Sequence, residues 1–419
     1  MKSHSLLPEP DKPSLIRSLL NVLRRRLGRW VSAKAESRRG QLAAPLGSGR
    51  GGDETSMLGM LSGLAAVSPA DLRFAVLVPA DTTPPAPIVV HDAFDVHHIP
   101  RAGGLRRLTV EVPRALRRIE PDLVVAFNHG PVWPSVSLAL VVADVSFLRY
   151  PYHYPWSTRL RLRALIRRQA SRAAQVITVS EFSRAEIVEL LGIPPDQVAV
   201  VPNAVVIPPL PSTQEVAAGR SWLHDLGISE RFVLYLGNLH PRKNLGRLLR
   251  AFLRARNSNR SVAATRLVVA GRTWWKGRDG DEMQRLVKGS AGAIAAIGPV
   301  TDNQKDILLR EAAAVAYPSL YEGFGLPPLE AMARDTPVLA SNAASLPEIL
   351  GDAALMVDPL DVEAISDGIV RILTDGPLRS RLTEVGRLQA ARYTRERTGT
   401  AAIGALRSAL DPQMRAATP

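Results

Sequence analysis

Two glutamates in one short segment are the residues of this sequence best suited to bind a polar ligand. Glu322 and Glu330 lie eight positions apart in the run YEGFGLPPLEAM, residues 321–332, a spacing of about two helical turns. A strand is predicted to end near Tyr317 and the prolines fit the first turn of a helix, so Glu322 sits on a Gly-rich turn. Loop amides and a helix N-terminus attract an anion, whereas a carboxylate accepts hydrogen bonds from hydroxyl groups. The segment therefore predicts a site where the backbone holds an anion and the glutamates hold sugar hydroxyls.

A pair of cations follows another predicted strand. The run GNLHPRKN, residues 237–244, places Arg242 and Lys243 just before a helix predicted from Leu245 onward. Two cations beside a helix N-terminus make a natural site for a diphosphate. Taken alone, this run also fits a surface basic pair, and residues 321–332 also fit a strand–turn–helix connection with a solvated glutamate. Because each segment follows the carboxyl end of a strand in one domain, the combination favours a ligand site.

The elements that must position these segments alternate along the whole chain. Short apolar runs rich in β-branched residues alternate with helical patterns, which predicts parallel sheets built from βαβ units. The Pro-rich residues 202–216 separate two such series and predict an interdomain linker. The predicted strands span 72–78, 123–127, 138–142, 176–179, 198–201, 232–236, 267–270, 293–297, 314–317, 337–340 and 355–357, and the clearest helices span 245–256, 302–313, 362–374 and 395–410. The predicted organisation is an extension at 1–40, a Rossmann-like domain at 41–205, a linker at 206–216, a second Rossmann-like domain at 217–395 and a final helix at 396–419.

Composition narrows the class of protein. The 419 residues suffice for two domains, and an apolar fraction of 46% fits a globular protein. No uninterrupted run of about 18 apolar residues is present, nor is the apolar segment of a signal peptide. We therefore expect a cytoplasmic protein. The absence of cysteine excludes disulfides and thiolate metal sites.

The formal net charge of +14 is concentrated in particular segments. Residues 14–39 and 159–172 combine arginines with leucines at helical spacing. Both predict basic amphipathic helices, which suit an anionic membrane surface. A solvated helix face beside a packed one is the alternative for each segment. Nucleic acid is not an expected partner, because no recognised nucleic-acid-binding module accompanies the charge.

The motifs together resemble the retaining family 4 glycosyltransferases, whose C-terminal domain carries two glutamates spaced like Glu322 and Glu330. The resemblance extends over GNLHPRKN, over VAYPSLYEGFGLPPLEAMARDTPVLASNAASLPEILGDAALMVDP and over VITVSEFSRAEIVELLGIPPDQVAVVPNAV, and it covers roughly residues 120–410. It implies the GT-B fold, an α/β architecture of two Rossmann-like doubly wound domains that face a cleft. The N-terminal domain would bind the acceptor, the C-terminal domain would bind the donor, and the final helix would cross back to the first domain.

The resemblance assigns roles to the charged motif residues. Arg242 and Lys243 would hold the diphosphate of a nucleotide-sugar donor. Glu322 would meet the donor sugar, and Glu330 would meet the ribose. Cations and a helix dipole would then stabilise the leaving diphosphate, so no metal cofactor is expected.

Other positions are assigned by the same resemblance. Gly325 and Leu326 would donate backbone amides to the diphosphate, and the segment near Val300 would meet the base. A weaker match marks Gly52 and Asp53 as the acceptor-side loop. The remaining donor-side positions are Gly237, Asn238, Gly323 and Phe324.

Some positions depart from the family pattern. Relatives commonly have His-Asp where this chain has Ala143-Asp144, and Arg where Asn238 stands; Arg242 can compensate for the second change. His129 follows a predicted strand and could supply an imidazole to the cleft, although a loop histidine is more often structural. These departures bear on whether the chain is fully active.

Two further patterns are weak. Residues 47–52 fit GxGxxG, but the preceding strand is poor and no well-placed acid follows, so an acceptor-domain loop is the better interpretation. Asp279 and Asp281 form a DxD pattern of the kind used for metal-bound nucleotide sugars in the other glycosyltransferase fold. They lie in a predicted loop without the rest of that fold.

The sequence thus predicts a hexosyltransferase that takes its sugar from a nucleotide-diphosphate donor, with GDP-mannose suggested, and passes it to a surface polysaccharide or lipid-linked glycan. The resemblance implies retention of the anomeric configuration, and no second carboxylate is obviously placed as a nucleophile, so front-face attack is the expected mechanism. A non-catalytic glycan- or nucleotide-sugar-binding subunit is the alternative that Ala143 makes credible. A sugar-nucleotide epimerase shares the architecture, but the spacing of Glu322 and Glu330 speaks against it.

Overall fold

The computed structural model describes two α/β domains. The described residues are 29–35, 41–42, 52–80, 82, 91–103, 106–131, 136–206, 209, 211–228, 231–272 and 277–411. Each domain has one central sheet with a buried apolar cluster on either face. Successive strand residues point to opposite faces, so Val233 joins one cluster of the second domain and Leu234 joins the other. Burial on both faces explains why these strands are continuous apolar runs in the sequence.

The first domain contains a sheet of eight strands in the order β4-β3-β1-β5-β6-β7-β8, with β2 paired to β5. The pairs β3–β4, β5–β6, β6–β7 and β7–β8 are parallel. The strands are β1 (Arg29–Ala35), β2 (Gln41–Leu42), β3 (Leu72–Pro79), β4 (Phe94–Ile99), β5 (Leu123–Phe127), β6 (Ser137–Val141), β7 (Gln175–Thr178) and β8 (Val198–Val200).

The N-terminal segment differs from its prediction. Residues 29–35 form β1, which pairs antiparallel with both β3 and β5, so the helix predicted over 14–39 is wrong for these residues. The boundary predicted at residue 40 is also wrong, since β1 lies inside the first sheet. The rest of the predicted helix, residues 14–28 and 36–39, lies outside the described residues.

The second domain contains a six-stranded sheet in the order β11-β10-β9-β12-β13-β14, and all its pairs are parallel. Its strands are β9 (Phe232–Leu236), β10 (Arg266–Ala270), β11 (Ile294–Gly298), β12 (Ala314–Tyr317), β13 (Val338–Ser341) and β14 (Ala354–Val357). The strands predicted in both domains are confirmed to within one residue at either end. Only β1, β2 and β4 were not predicted among the described strands.

Helices cover both sheets. The four helices predicted most clearly are confirmed, with exact ends for Val362–Thr374 and Arg395–Leu410. No helix in the described part of the chain is long and apolar enough to cross a membrane. The helices are α1 (Gly52–Val67), α2 (Val112–Ile119), α3 (Ser146–Arg149), α4 (Trp156–Ala170), α5 (Glu181–Leu191), α6 (Thr213–Asp225), α7 (Leu245–Ser258), α8 (Gly277–Gly289), α9 (Asp302–Glu311), α10 (Leu326–Met332), α11 (Leu346–Leu350), α12 (Val362–Thr374), α13 (Gly376–Ala390) and α14 (Arg395–Leu410).

Two connections join the domains. Helix α14 packs on α1, and a Cβ on Gly399 would lie 2.1 Å from the Gly63 carbonyl oxygen, so the two helices touch backbone to backbone. Ile403 of α14 belongs to the same buried cluster as Leu61 of α1. The other connection is shorter than predicted, because α6 begins at Thr213 with a capping box inside the segment expected to be linker.

Candidate active site

The two charged motifs of the second domain lie where its strand order reverses. β9 and β12 are neighbours in the sheet, although β10 and β11 lie between them in the chain. In open α/β sheets, ligands bind at the carboxyl ends of the strands at such a point. The loop after β9 carries Arg242 and Lys243, and the loop after β12 carries Glu322. The fold therefore brings the predicted cations and the first glutamate to one place.

Local hydrogen bonds fix the loop that carries the cations. Pro241–Lys243 form a short 3-10 turn, and the Arg242 amide donates to the Nδ1 of His240 at 3.3 Å. Asn244 ends this turn in the left-handed region with a φ of 62°. Its side-chain amide donates to the Pro318 carbonyl at 2.9 Å. The β9 loop is thereby tied to the β12 loop.

Lys243, Arg242 and Glu322 form one buried ion-pair cluster. The Lys243 Nζ donates to the Glu322 Oε2 at 2.7 Å and to the Tyr317 hydroxyl at 2.6 Å. The Arg242 Nη1 donates to the same Oε2 at 3.3 Å and to the Tyr321 carbonyl at 2.7 Å. The Glu322 side chain is 7% exposed. Its carboxylate therefore occupies the two cations that the sequence assigns to a diphosphate.

Burial and charge set the protonation states in this cluster. Burial raises the pKa of Glu322, but Lys243 and Arg242 outweigh that effect and hold this pKa below its usual value. Burial lowers the pKa of Lys243 to about 8, since the attraction of Glu322 offsets only part of the cost and Arg242 repels the charge. Burial also raises the pKa of Tyr317 well above its usual value, which keeps its hydroxyl neutral. Lys243 is thus charged at neutral pH and titrates a little above it.

The Glu322 loop approaches the first domain closely enough to require glycine. A Cβ on Gly323 would lie 2.4 Å from the Ala143 carbonyl oxygen. The Gly323 carbonyl accepts hydrogen bonds from the Ser180 Oγ at 2.7 Å and from the Ser183 Oγ at 3.1 Å. Gly325 then precedes α10 with a φ of 105°, a conformation that favours glycine. The donor-side loop is therefore held by the start of helix α5 across the cleft.

A second contact between the domains caps the same helix. The Glu348 carboxylate of the second domain accepts hydrogen bonds from the amides of Glu181 and Phe182, both at 2.9 Å. A carboxylate is favourable there because the first amides of a helix lack partners within the helix. The Phe182 ring meets the Tyr321 ring edge-on at 5.4 Å between centroids. These contacts hold the two domains together beside the ion-pair cluster.

The first domain adds a carboxylate to the cleft. Asp144 follows β6, and its Oδ2 lies 3.7 Å from the Arg242 Nη2. The Tyr154 ring of the same domain lies 5.1 Å from the His240 ring. With two cations and two carboxylates the cluster is formally neutral. An anionic ligand must therefore compete with Glu322 and Asp144 for the cations.

Glu330 has a different partner. It lies on α10, and its carboxylate accepts a hydrogen bond from the Lys305 Nζ of α9 at 2.6 Å. Helix α9 directly follows the Val300 segment, which the sequence assigns to the base. Val300 and Leu326 pack against the same apolar cluster. The structure thus places the second glutamate near the predicted base segment.

The other predicted donor-side positions lie on the same two loops, after β9 and after β12. Gly237 and Asn238 follow β9, and the Asn238 carbonyl accepts a hydrogen bond from the Tyr235 hydroxyl at 3.4 Å. Phe324 is buried, and its ring meets the Tyr393 ring edge-on at 5.4 Å. The Phe324 side chain therefore contributes to the core, and only its backbone remains for a ligand.

The predicted acceptor-side positions lie in the first domain. His129 follows β5 and is buried, and β5 is the neighbour of β6, which precedes Asp144. His129 and Asp144 therefore occupy the same edge of the first sheet. Gly52 and Asp53 are the first residues of α1. Residues 47–51 of the GxGxxG pattern lie outside the described residues.

The DxD pattern is not in a loop. Asp279 and Asp281 lie in the first turns of α8, which corrects the loop predicted there. Acidic residues are favourable at a helix start because of the helix dipole, which accounts for the pattern structurally. Within the described ranges, no group of three or more His, Asp or Glu side chains is arranged to hold a metal ion.

Several site residues were given no role from the sequence. Asp144 is the first charged residue after a predicted strand, so its place at a strand's carboxyl end was a usable signal. Ser180 precedes a helix and is followed at the third position by Ser183, whose amide it caps at 3.0 Å. Lys305 gave no signal, because its partner Glu330 is 25 residues away in the chain.

Comparison with known proteins identifies the family. Residues 50–207 match Glycosyltransferase Family 4, and residues 224–389 match Glycosyl transferases group 1. The O-antigen chain mannosyltransferase B of Escherichia coli is 33% identical over 264 residues, which cover 62% of this chain and 68% of that enzyme. The chain belongs to the family 4 glycosyltransferases. The predicted enzyme class, glycosyltransferase, is thereby confirmed.

Further relatives of this family 4 glycosyltransferase support the fold. The phosphatidyl-myo-inositol mannosyltransferase of Mycobacterium leprae is 29% identical over 330 residues, which cover 76% of this chain and 83% of that enzyme. The structure of HepE from Anabaena in complex with UDP and glucose has a TM-score of 0.66 and 18% identity, over 88% of this chain and 99% of that chain. At that identity the likeness shows the fold alone, and the predicted GT-B fold is confirmed.

Proposed function

We propose that this family 4 glycosyltransferase transfers mannose from a nucleotide-diphosphate sugar to a surface polysaccharide or lipid-linked glycan. The observation that carries the proposal is the buried cluster of Arg242, Lys243 and Glu322 at the switch point of the second sheet. Two adjacent cations fit a diphosphate, and a carboxylate beside them fits a sugar hydroxyl. The relatives from Escherichia coli and Mycobacterium leprae are both mannosyltransferases, one of an O-antigen chain and one of a phosphatidylinositol. Their names support mannose as the sugar and a glycan or a lipid as the acceptor.

Donor binding involves an exchange of partners. The diphosphate takes the place of the Glu322 carboxylate on Arg242 and Lys243, since phosphate oxygens carry more charge to neutralise. The released carboxylate then accepts a hydrogen bond from a hydroxyl of the donor sugar. Gly323 and Gly325 let the loop backbone pack closely against Ala143 and Leu346, while the Ser180 and Ser183 hydroxyls hold that loop in place. The backbone amides of Gly325 and Leu326 then donate to the diphosphate.

The nucleoside binds farther along the same face. Glu330 accepts hydrogen bonds from the ribose hydroxyls, and the segment at Val300 lies against the base. Lys305 orients Glu330 through their hydrogen bond at 2.6 Å. The Lys305 charge also reduces the repulsion between Glu330 and the neighbouring diphosphate.

The chemical step retains the anomeric configuration. The acceptor hydroxyl attacks the anomeric carbon on the face from which the diphosphate departs, and an oxygen of the leaving phosphate takes the hydroxyl proton. Arg242 and Lys243 stabilise the charge that develops on the diphosphate, so the reaction proceeds without a metal ion. His129 is the imidazole of the first domain assigned to the acceptor side of this step.

A panel of nucleotide sugars tests the proposal. GDP-mannose is compared with GDP-glucose, which changes the sugar, and with UDP-glucose, which also changes the base. A donor present at 100 times its Kd stabilises the folded protein by about 2.7 kcal/mol, so binding is read from the melting temperature. Transfer is read from product formation with a mannose-containing acceptor, and NMR of the new linkage reports its configuration. Binding of another donor alone would refute mannose, and binding of none would refute the diphosphate site.

Ala143 stands where relatives commonly have His. A non-catalytic nucleotide-sugar-binding subunit is therefore a second candidate function. In the structure Ala143 offers its backbone carbonyl to the Ser183 Oγ at 3.1 Å. That hydrogen bond lies within the first domain, and the same carbonyl closely faces Gly323 of the second domain. The Ala143 side chain brings no imidazole. Donor binding with neither transfer nor donor hydrolysis would favour this alternative. Conversion of the donor into an epimer without an acceptor would instead favour an epimerase.

A further inference from the structure

Helix α4 exposes apolar side chains that lie outside the core of its domain. Trp156 is 71% exposed and Leu160 is 61% exposed. Tyr152, in the turn before α4, is also 71% exposed. The opposite face of the helix is packed, since Thr158 and Gln169 are buried and Leu162 packs against a buried cluster of the first domain. The domain is therefore folded with one apolar helix face left in water.

The same face of α4 is strongly basic. At the helical repeat, Arg159, Arg163 and Arg167 lie on the side that carries Trp156 and Leu160. All three arginines are exposed. Between residues 150 and 180 the sequence has six arginines and no Asp or Glu. A surface of this kind combines apolar side chains with positive charge that nearby sequence does not neutralise.

This surface begins at the mouth of the cleft. Tyr154, two residues before Trp156, has its ring 5.1 Å from the ring of His240. His240 in turn accepts the hydrogen bond from the amide of Arg242. Tyr152 contacts the neighbouring His153 ring at 4.3 Å between centroids. The exposed face of α4 therefore continues outward from the acceptor side of the candidate active site.

We propose that Tyr152, Trp156, Leu160, Arg159, Arg163 and Arg167, hereafter the Trp156 surface, dock on an anionic membrane. Rings and aliphatic chains enter the boundary between headgroups and acyl chains, and arginines pair with lipid phosphates. A second copy of this chain fits less well, because it would bring arginines against arginines. A glycan fits less well, because it offers no partner for Leu160 and no charge for the arginines.

Membrane docking at this surface would bring a lipid-linked acceptor to the enzyme, and this link to the acceptor rests on the proposed function. A lipid-linked acceptor stays in the bilayer, so a membrane bound at the cleft mouth presents the acceptor next to the donor site. The reactive end then needs to leave the headgroup region by only a short distance. The Trp156 surface is separate from the residues that bind the donor, so each can be altered without the other.

Vesicle binding by the full-length protein tests the Trp156 surface. Vesicles of phosphatidylcholine alone are compared with vesicles of phosphatidylcholine and phosphatidylglycerol, at low and high salt. One variant, Trp156→Ser with Leu160→Ser, removes apolar side chains, and a second, Arg159→Gln with Arg163→Gln and Arg167→Gln, removes charge. Each arginine near an anionic surface strengthens binding about fivefold. The charge variant should therefore bind about 100-fold more weakly at low salt, and this difference should shrink at high salt.

Matched controls lie on the second domain. Leu388→Ser changes an apolar side chain that is 65% exposed on α13. Arg260→Gln with Arg371→Gln and Arg381→Gln removes three exposed arginines. We expect both controls to bind anionic vesicles like the wild type, and every variant to keep the donor-induced shift in melting temperature.

Three results would overturn the docking proposal. The first is that the wild type does not bind anionic vesicles. The second is that the wild type and both Trp156-surface variants bind them equally. The third is that the control variants lose as much vesicle binding as the Trp156-surface variants. Loss of transfer to a water-soluble glycan with unchanged vesicle binding would make the surface a glycan site instead. Since vesicle binding requires neither donor nor turnover, its failure would leave the donor assignment untouched. Failure of donor binding would likewise leave the vesicle result valid.

Discussion

Replacement of Glu322 by Gln should separate donor affinity from turnover. The wild-type carboxylate lies 2.7 Å from the Lys243 Nζ and 3.3 Å from the Arg242 Nη1. Without its charge, the nearest remaining anion is Asp144, at 3.7 Å from Arg242. Breaking a buried ion pair on one side typically costs about 3–5 kcal/mol, because a charge is left buried without a partner. The free energy of unfolding of the Glu322→Gln protein should fall by an amount of that order.

A diphosphate should restore what the variant lacks. GDP supplies the missing negative charge and no longer competes with a carboxylate, so we expect the variant to bind GDP at least as tightly as the wild type. GDP should also raise the melting temperature of the variant more than that of the wild type. Turnover should fall about 10²–10³-fold, because a charged acceptor aimed at the reacting sugar is lost.

Calorimetric titration with GDP, thermal unfolding and steady-state assays measure these effects. Glu330→Gln is the matched control, because its carboxylate pairs with Lys305 instead of with the two cations. This control should weaken donor binding more than it slows the bound reaction. Near-wild-type turnover of Glu322→Gln, or much weaker GDP binding, would refute the exchange of partners at Glu322.

Three further predictions concern the same cluster. Arg242→Ala and Lys243→Ala should each lower kcat/KM about 10²–10³-fold by leaving diphosphate charge less neutralised. Near-wild-type kcat/KM of both variants, measured by varying the donor concentration, would contradict the diphosphate site. Burial lowers the pKa of Lys243 to about 8, so above that pH the free protein must take up a proton to bind the diphosphate. GDP-mannose affinity should therefore fall as pH rises from about 7 to about 9, and Lys243→Arg should remove this dependence, which titration calorimetry can measure. Dialysis against EDTA should leave turnover unchanged, whereas a loss reversed by Mg²⁺ or Mn²⁺ would show that a metal ion takes part.

Much of the fold was predictable, because central parallel strands are buried on both faces and read as apolar runs. β4 escaped because Phe94–Ile99 contains polar residues and forms the edge of the first sheet. β1 was misread because its arginine and tryptophan continue the helical spacing of the preceding residues. Its strand conformation depends on pairing with β3 and β5, which lie far away in the sequence.

The location of the candidate site was predictable from the sequence, but the contacts between its side chains were not. Strand ends and motif residues located Arg242, Lys243 and Glu322 correctly on neighbouring loops. That Glu322 occupies the cations depends on side chains 79 residues apart for Lys243 and 80 for Arg242. The hydrogen bond from Ser180 to Gly323 spans 143 residues. The first contact depends on the order of distant strands in the second sheet, and the other depends on the packing of the two domains. Local sequence patterns encode neither.

A crystal structure of the protein with GDP-mannose would test the central claim most directly. Charge-assisted hydrogen bonds from Arg242 and Lys243 to the diphosphate should measure about 2.7–2.9 Å. Glu322 should have left the Lys243 Nζ and should face a hydroxyl of the mannose, with the ribose at Glu330. An intact Lys243–Glu322 pair with the diphosphate bound elsewhere would contradict the account.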